Sequence, residues 1–294
     1  MGGHVWVSDP GNGSISELSA STGALIRFIR GSKYGFVYPD AIASDGRHIW
    51  VANLYGFSVT ELQASNGALV RVIKGPKYAL AVPNSIASDG TYVWVTSGSS
   101  ESVTEINAGN GALMRVIKGP RYGFMHPGGI ATDATHVWVA SSRGFSVTEL
   151  RSSTGALVRV LQGQPYHFMY PGAIAVGGVH VWVMSSGNPG GVTELEASSG
   201  AVVKVIEGAR YSFVFPEAIA SDRIHVWVVD SGTNSVTELS ASTGGLVKVI
   251  KGPRDGFKSS VAISSDGTHV WVANPGSSTV TELNAVTGAI VRVL

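Results

Sequence analysis

The chain has 294 residues, 44% of them apolar, a formal net charge of +1 and no cysteine. It can bury a large core, but it excludes a disulfide framework or cysteine-based zinc site, and it carries no basic footprint for nucleic acid and no acidic tail. No apolar run approaches the roughly 18 residues of a membrane helix, and Met1 is followed at once by a strand pattern, not by a signal peptide.

The first element is "HVWV" (4–7), whose period-two alternation marks a strand. After a Gly/Ser/Asn loop comes "SISEL" (14–18), a second strand. "ALIRFI" (24–29) follows "ASTG" (20–23), where Gly23 suits the left-handed position of a three-residue hairpin. The loop "KYGFVYP" (33–39) then introduces a new strand type, "AIAS" (41–44). Asp45-Gly46 closes it with the dipeptide of a positive-φ hairpin turn. At "HIWV" (48–51) the first pattern resumes, and four strand types recur to the end of the chain.

The seven tryptophans, Trp6, Trp50, Trp94, Trp138, Trp182, Trp227 and Trp271, set the period at 44 residues, once 45. No segment keeps a helical period for three turns. Units of four short antiparallel strands, each with a tryptophan motif, predict an all-β chain folded as a β-propeller. The units run 1–38, 39–82, 83–126, 127–170, 171–215, 216–259 and 260–294, in one domain. The "HVWV", "SVTEL" and "ALVRV" types occur seven times, the "AIAS" type only six. The predicted ring is therefore seven-bladed, with the joint blade lacking its innermost strand. The alternative is six complete blades plus an extra N-terminal three-stranded unit. The unpaired inner edge is expected to take an added strand or to support self-association.

Glu17, Glu61, Glu105, Glu149, Glu194, Glu238 and Glu282 recur in the third strand type, and Arg27, Arg71, Arg115, Arg159, Lys204, Lys248 and Arg292 in the fourth. Directly opposed across a hairpin, they form ion pairs that pin register. Where exposed, such pairs contribute well under about 1 kcal/mol each. His4, His48, His136, His180, His225 and His269, with Tyr92 in the remaining unit, precede the tryptophan motif. One histidine per blade is too widely spaced for shared ligation, so packing or hydrogen bonding is their expected role and no metal site is assigned.

The loops before the "AIAS" strands are basic and aromatic: "KYGFVYP" (33–39), "KYALAVP" (77–83), "RYGFMHP" (121–127), "PYHFMYP" (165–171), "RYSFVFP" (210–216) and "RDGFKSS" (254–260). They are expected around the channel mouth, beside the loops between second and third strands. Tyr34, Tyr78, Tyr122, Tyr166, Tyr211, Phe124, Arg121 and Arg210 are candidates there for a ligand held by stacking and hydrogen bonds. The bland reading is that the rings cap the gap between blades and the cations are solvated. Beyond the loop proline the units differ, with Asp40, Asn84 and Glu217 as polar candidates and His126 and His167 close by. "NLYGF" (53–57) and "SSRGF" (141–145) add Tyr55, Phe57, Arg143 and Phe145.

The repeat "PxxIAsDGTHVWVANxxxxSVTELxAsTGALVRVI" resembles the YVTN/YncE-like and NHL-like repeat propellers and, more distantly, the streptogramin B lyase propeller. The first resemblance implies a binding or scaffold module with no cofactor. The second implies a magnesium-dependent lyase, but no constellation here matches its catalytic residues and no residue is assigned as catalytic; as an enzyme the chain would depend on His126 or His167 with Glu217 as its acid–base pair. The expected function is a non-catalytic module that binds a small molecule, glycan or peptide, and neither nucleic acid nor a membrane. A propeller amplified or designed for its architecture, with no dedicated ligand, is the third reading.

Overall fold

The computed structural model describes residues 3–133, 135–252 and 254–294. Seven antiparallel sheets follow one another along the chain. The first has three strands, His4–Asp9, Ser14–Ser19 and Leu25–Arg30, and each of the other six has four in chain order. Blade 2 shows the full unit: Pro39–Ser44, His48–Asn53, Ser58–Gln63 and Leu69–Lys74. Among the described residues the only helical segments are single 3-10 turns in the loops before the first strands, such as Ser32–Tyr34 and Pro120–Tyr122. The architecture is that of a seven-bladed β-propeller, with the first strand missing from the first blade. Among the described residues no helix is long and apolar enough to cross a membrane.

The chain divides into two compact units, residues up to Val160 and Leu161–Leu294, the boundary falling inside the last strand of blade 4, Leu157–Gln162. In the first unit, Trp50 on one face of blade 2 packs against Tyr78 and Leu80 of the loop that ends its own repeat and against Ile86, Val93 and Val95 of the next. Trp94 does the same against Tyr122, Phe124, Ile130, Val137 and Val139. Blade 1 packs onto blade 2 in this manner, through Ile15, Ile29 and Trp6 against Phe36, Ile49, Val51 and Leu62, so the N-terminal strands form a blade, not a detached extra unit. In the second unit, Trp182 lies among Tyr211, Phe213, Ile219, Val226 and Val228, and Trp227 among Phe257, Val270 and Val272. The period-two pattern explains this: the tryptophan leaves one face of its strand and the flanking valines leave the other. A tryptophan hiding about 200 Å² at about 25 cal/mol per Å² contributes about 5 kcal/mol before entropy is counted.

Turn chemistry follows the sequence with one correction. Gly46, Gly90 and Gly267 have φ of 83°, 86° and 82°, and Asp45 Oδ1 accepts the N–H groups of Arg47 and His48 at 2.8 and 2.6 Å. The "ASTG" connection has four residues, not three: Ser19 N–H donates to Ala24 O, and Gly23 N–H, at φ 72°, donates to Ser19 O. A bulge between Glu17 and Leu18 then restores Glu17 opposite Arg27.

The glutamates are not exposed, as an ordinary surface pair would be. Glu17, Glu61, Glu105, Glu149, Glu194, Glu238 and Glu282 are all buried. The Nε atoms of Arg27, Arg71, Arg115, Arg159 and Arg292 approach the carboxylates at 2.7–3.0 Å. The histidines serve the same carboxylates: Nε2 of His48 and His136 lies 3.6 and 3.5 Å from Glu61 and Glu149, and His4 Nδ1 lies 2.5 Å from Glu17. In blades 1 to 3 the turn of the next blade lies against the pair. A Cβ at Gly67, Gly111 or Gly155 would stand 2.7–2.9 Å from Cδ of Arg27, Arg71 or Arg115.

Candidate functional site

The loop before each first strand and the loop between second and third strands lie side by side, joined by backbone hydrogen bonds. Leu54 N–H donates to Tyr38 O, Gly98 N–H to Val82 O, Ser142 N–H to His126 O, Ser186 N–H to Tyr170 O and Ser231 N–H to Phe215 O. These paired loops carry all the candidate side chains.

Each 3-10 turn is held by the blade it leads into. The hydroxyls of Thr60, Thr104, Thr148, Thr193 and Thr237 donate to the carbonyls of Tyr34, Tyr78, Tyr122, Tyr166 and Tyr211 at 2.6–2.7 Å. The tyrosines stack on the aromatic two residues on, with centroids 5.3 Å apart for Tyr34–Phe36, 5.4 Å for Tyr122–Phe124, 5.2 Å for Tyr166–Phe168 and 5.6 Å for Tyr211–Phe213. Tyr78, Tyr122, Tyr211 and Phe124 are buried, while Tyr34 and Tyr166 are half-buried. Lys33, Lys77, Arg121 and Arg210 sit 4.7–5.0 Å over the ring of the adjacent tyrosine, and Arg121 and Arg210 also donate to its hydroxyl at 2.6 Å. The basic–aromatic wording is thus a wedge between blades with a cation across its solvent end.

Two further positions show only in the structure. The residue before the loop proline adopts a left-handed backbone at Tyr38, Val82, His126 and Tyr170, with φ of 56–60°. Such a conformation costs an L-residue about 1–2 kcal/mol, and Val82 is β-branched. Immediately after the proline the first strand bulges, since Pro39 faces Asn53 but Ala41 faces Ala52. Asp40, Asn84 and Glu217 all occupy this bulge, a device that re-aims a side chain away from the ladder. Asp40 is exposed, but the protein around it partly desolvates its carboxyl and raises it above its ordinary value.

Blade 2 presents the most open of these sites. Tyr38 and Tyr55 are 40% and 58% exposed, their ring centroids 4.9 Å apart and tilted by 52°. Val37 and Phe57 of the same loops are exposed as well. In blade 3, Asn84 and His126 come together over Gly98, where an added Cβ would meet His126 Nδ1 at 2.9 Å and Asn84 Nδ2 at 3.5 Å. His126 Nδ1 is buried and has no hydrogen-bond partner among the described residues.

In the second unit Glu217 accepts a hydrogen bond from Ser231 Oγ at 2.9 Å. His167, which caps the turn Gln164–Tyr166, lies 3.9 Å from Glu207 and lines a cavity of about 250 Å³ with Met169, Pro189 and Thr193. His167 and Glu217 therefore have different partners. Sequence reading missed Asp230, whose Oδ2 accepts the N–H groups of Val214 and Phe215 at 2.7 and 2.9 Å and whose Oδ1 accepts from Thr233. It stands where blades 2 to 5 and 7 have asparagine or serine and blade 1 has Asp9, and that departure was its only signal. Among the described residues no group of three or more His, Asp or Glu side chains is placed to hold a metal ion.

No family model and no curated protein matches the chain. Solved structures do. The chain is similar to Kuenenia stuttgartiensis hydrazine synthase, with TM-score 0.68, 18% identity, and 87% of this chain and 78% of that one covered. It is similar to U3-55K, with TM-score 0.74, 14% identity and coverages of 92% and 84%. It is also similar to the computationally designed Ika8 protein, with TM-score 0.73, 15% identity and coverages of 99% and 83%. At these identities the likeness establishes the propeller fold alone.

Proposed function

We propose that the protein is a non-catalytic binding module whose ligand, a glycan, docks on the loop face at blade 2. One observation carries this reading: two exposed tyrosines, Tyr38 and Tyr55, face each other beside the bulged carboxylate Asp40. A sugar offers an apolar C–H face to such rings and hydroxyl groups to the carboxylate, the chemistry of a shallow aromatic–polar site. The repeat wording supports placing the chain with the YVTN/YncE-like and NHL-like propellers, in keeping with a binding role. Near-identical units also suit binding better than catalysis, which needs different groups converging on one point.

The test is calorimetric titration over a panel of neutral and charged oligosaccharides, repeated on Tyr55→Ala and Asp40→Asn. The reading expects one glycan class to bind, with Tyr55→Ala weakening it about tenfold and the melting temperature of the free protein unchanged. No binding across the panel, or equal binding by both variants, would overturn it.

A further inference from the structure

We infer that the unpaired edge of blade 1 is a docking site for an extended segment of a separate polypeptide, one carrying the chain's own first-strand wording, Pro-X-Ala-Ile-Ala-Ser-Asp-Gly. His4–Asp9 pairs with Ser14–Ser19 on one side only, whereas the equivalent His48–Asn53 is paired on both. The consequence is visible residue by residue. Ile49, Trp50 and Val51 are fully buried, and their counterparts Val5, Trp6 and Val7 are only half-buried.

The other blades state what fits. In blade 2, Pro39 faces Asn53, Ala41 faces Ala52, Ile42 faces Val51, Ala43 faces Trp50 and Ser44 faces Ile49. Blades 3 and 4 repeat this register, with Ile86 on Val95 and Ile130 on Val139. Transferred to blade 1, an incoming proline faces Asp9, the isoleucine Val7, the second alanine Trp6 and the serine Val5. Main-chain pairing supplies affinity and the alternate side chains supply selection.

In blades 2 and 6 an aspartate adds to the match, whereas Nε1 of Trp94, Trp138 and Trp182 has no hydrogen-bond partner among the described residues. Asp45 Oδ2 receives His48 Nδ1 at 3.1 Å and Trp50 Nε1 at 3.2 Å, and Asp222 Oδ2 receives Trp227 Nε1 at 3.4 Å. Among the described residues, no aspartate does this for His4 and Trp6, and His4 turns to Glu17. The aspartate of the incoming segment fills that place. A second copy of this chain is a poor donor, because each of its own first strands is already paired in a sheet. A segment held in no sheet is the better donor.

The experiment adds a synthetic peptide of residues 39–46 (Pro-Asp-Ala-Ile-Ala-Ser-Asp-Gly) to the full chain and follows amide hydrogen exchange. The expected result is saturable protection confined to residues 5–9, with exchange slowed about tenfold. An Ile42→Asp peptide should give no protection, and an Asp45→Ala peptide should bind several-fold more weakly. Both leave the protein unaltered, so folding does not enter the comparison. No protection at millimolar peptide, equal protection by the Ile42→Asp peptide, or protection on other strands overturns the inference. So does concentration-dependent protection of residues 5–9 without peptide, which would make a second copy the occupant.

Discussion

Replacing Tyr92 by histidine tests the electrostatics of the buried glutamates. Burial lifts the Glu105 carboxyl from the ordinary 4.5 to about 7, although Arg115 Nε lies 3.0 Å away. Glu149, its sister in blade 4, has His136 Nε2 at 3.5 Å in addition to Arg159. Blade 3 has Tyr92 in that place, so Glu105 lacks the second cation. The folded chain thus holds this proton more tightly than the unfolded chain. Its contribution to stability is full below pH 4.5 and is lost as the pH rises to about 7, a swing of about 3 kcal/mol. The side chain is fully buried, so solvent screening takes little from that figure.

An imidazolium beside the carboxylate should lower the Glu105 midpoint by about 1 pH unit and recover about 1.4 kcal/mol near neutral pH. Carbon-13 NMR of the glutamate carboxyls over pH 3–9 reads the midpoint directly. An unchanged midpoint in Tyr92→His, or no glutamate titrating near 7 in the parent, would refute the reasoning.

Four further substitutions probe the packing. Gly155→Ala should cost about 2–3 kcal/mol, because a left-handed backbone (φ 62°) is combined with a Cβ 2.7 Å from Arg115 Cδ and 2.9 Å from Ile117 Cδ1; Gly46→Ala, with open space around it, should cost only about 1 kcal/mol, and paired denaturant titrations would show the difference. Thr104→Val keeps the shape but leaves the Tyr78 carbonyl without its 2.6 Å donor, at a cost of about 1–3 kcal/mol in the same assay. Asp255 stands where five loops have tyrosine and its carboxyl is pushed up by burial, so Asp255→Tyr should raise stability by about 1–2 kcal/mol, read as a higher melting temperature; an unchanged or lower value would contradict it.

The fold was legible because each signal repeats. Seven tryptophans at one spacing, Asp-Gly turns and a count of six against seven strands define the blades and the missing strand without any long-range information. The Glu17–Arg27 register was also legible, but its burial was not. A strand pattern shows which residues share a face, and not that the turn at Gly67 will cover that face. The four-residue "ASTG" turn was missed because the bulge beside it compensates for the extra residue, leaving Glu17 and Arg27 opposed in either case. The bulge at Asp40, Asn84 and Glu217 could not be read at all, since a bulge is a relation between two strands and only one of them carries the signal.

These limits bear on function. A residue that recurs from unit to unit is engaged by other recurring residues: the tyrosine by its aromatic neighbour and cation, the threonine by the tyrosine carbonyl, the glutamate by arginine and histidine. Repetition itself therefore argues for structure. Chemistry left over for a ligand lies where one unit departs from the rest on a shared backbone device. Tyr55 departs on the loop beside the left-handed Tyr38, Asp40 on the bulge, and His126 over Gly98 next to Asn84. The same reasoning gives blade 1 its place. Its strands carry the common wording, yet Trp6 and His4 lack the partner that this wording finds in blades 2 and 6. A repeat whose second strand is paired on both sides in blades 2 to 7 is, at that one edge, a half-filled template.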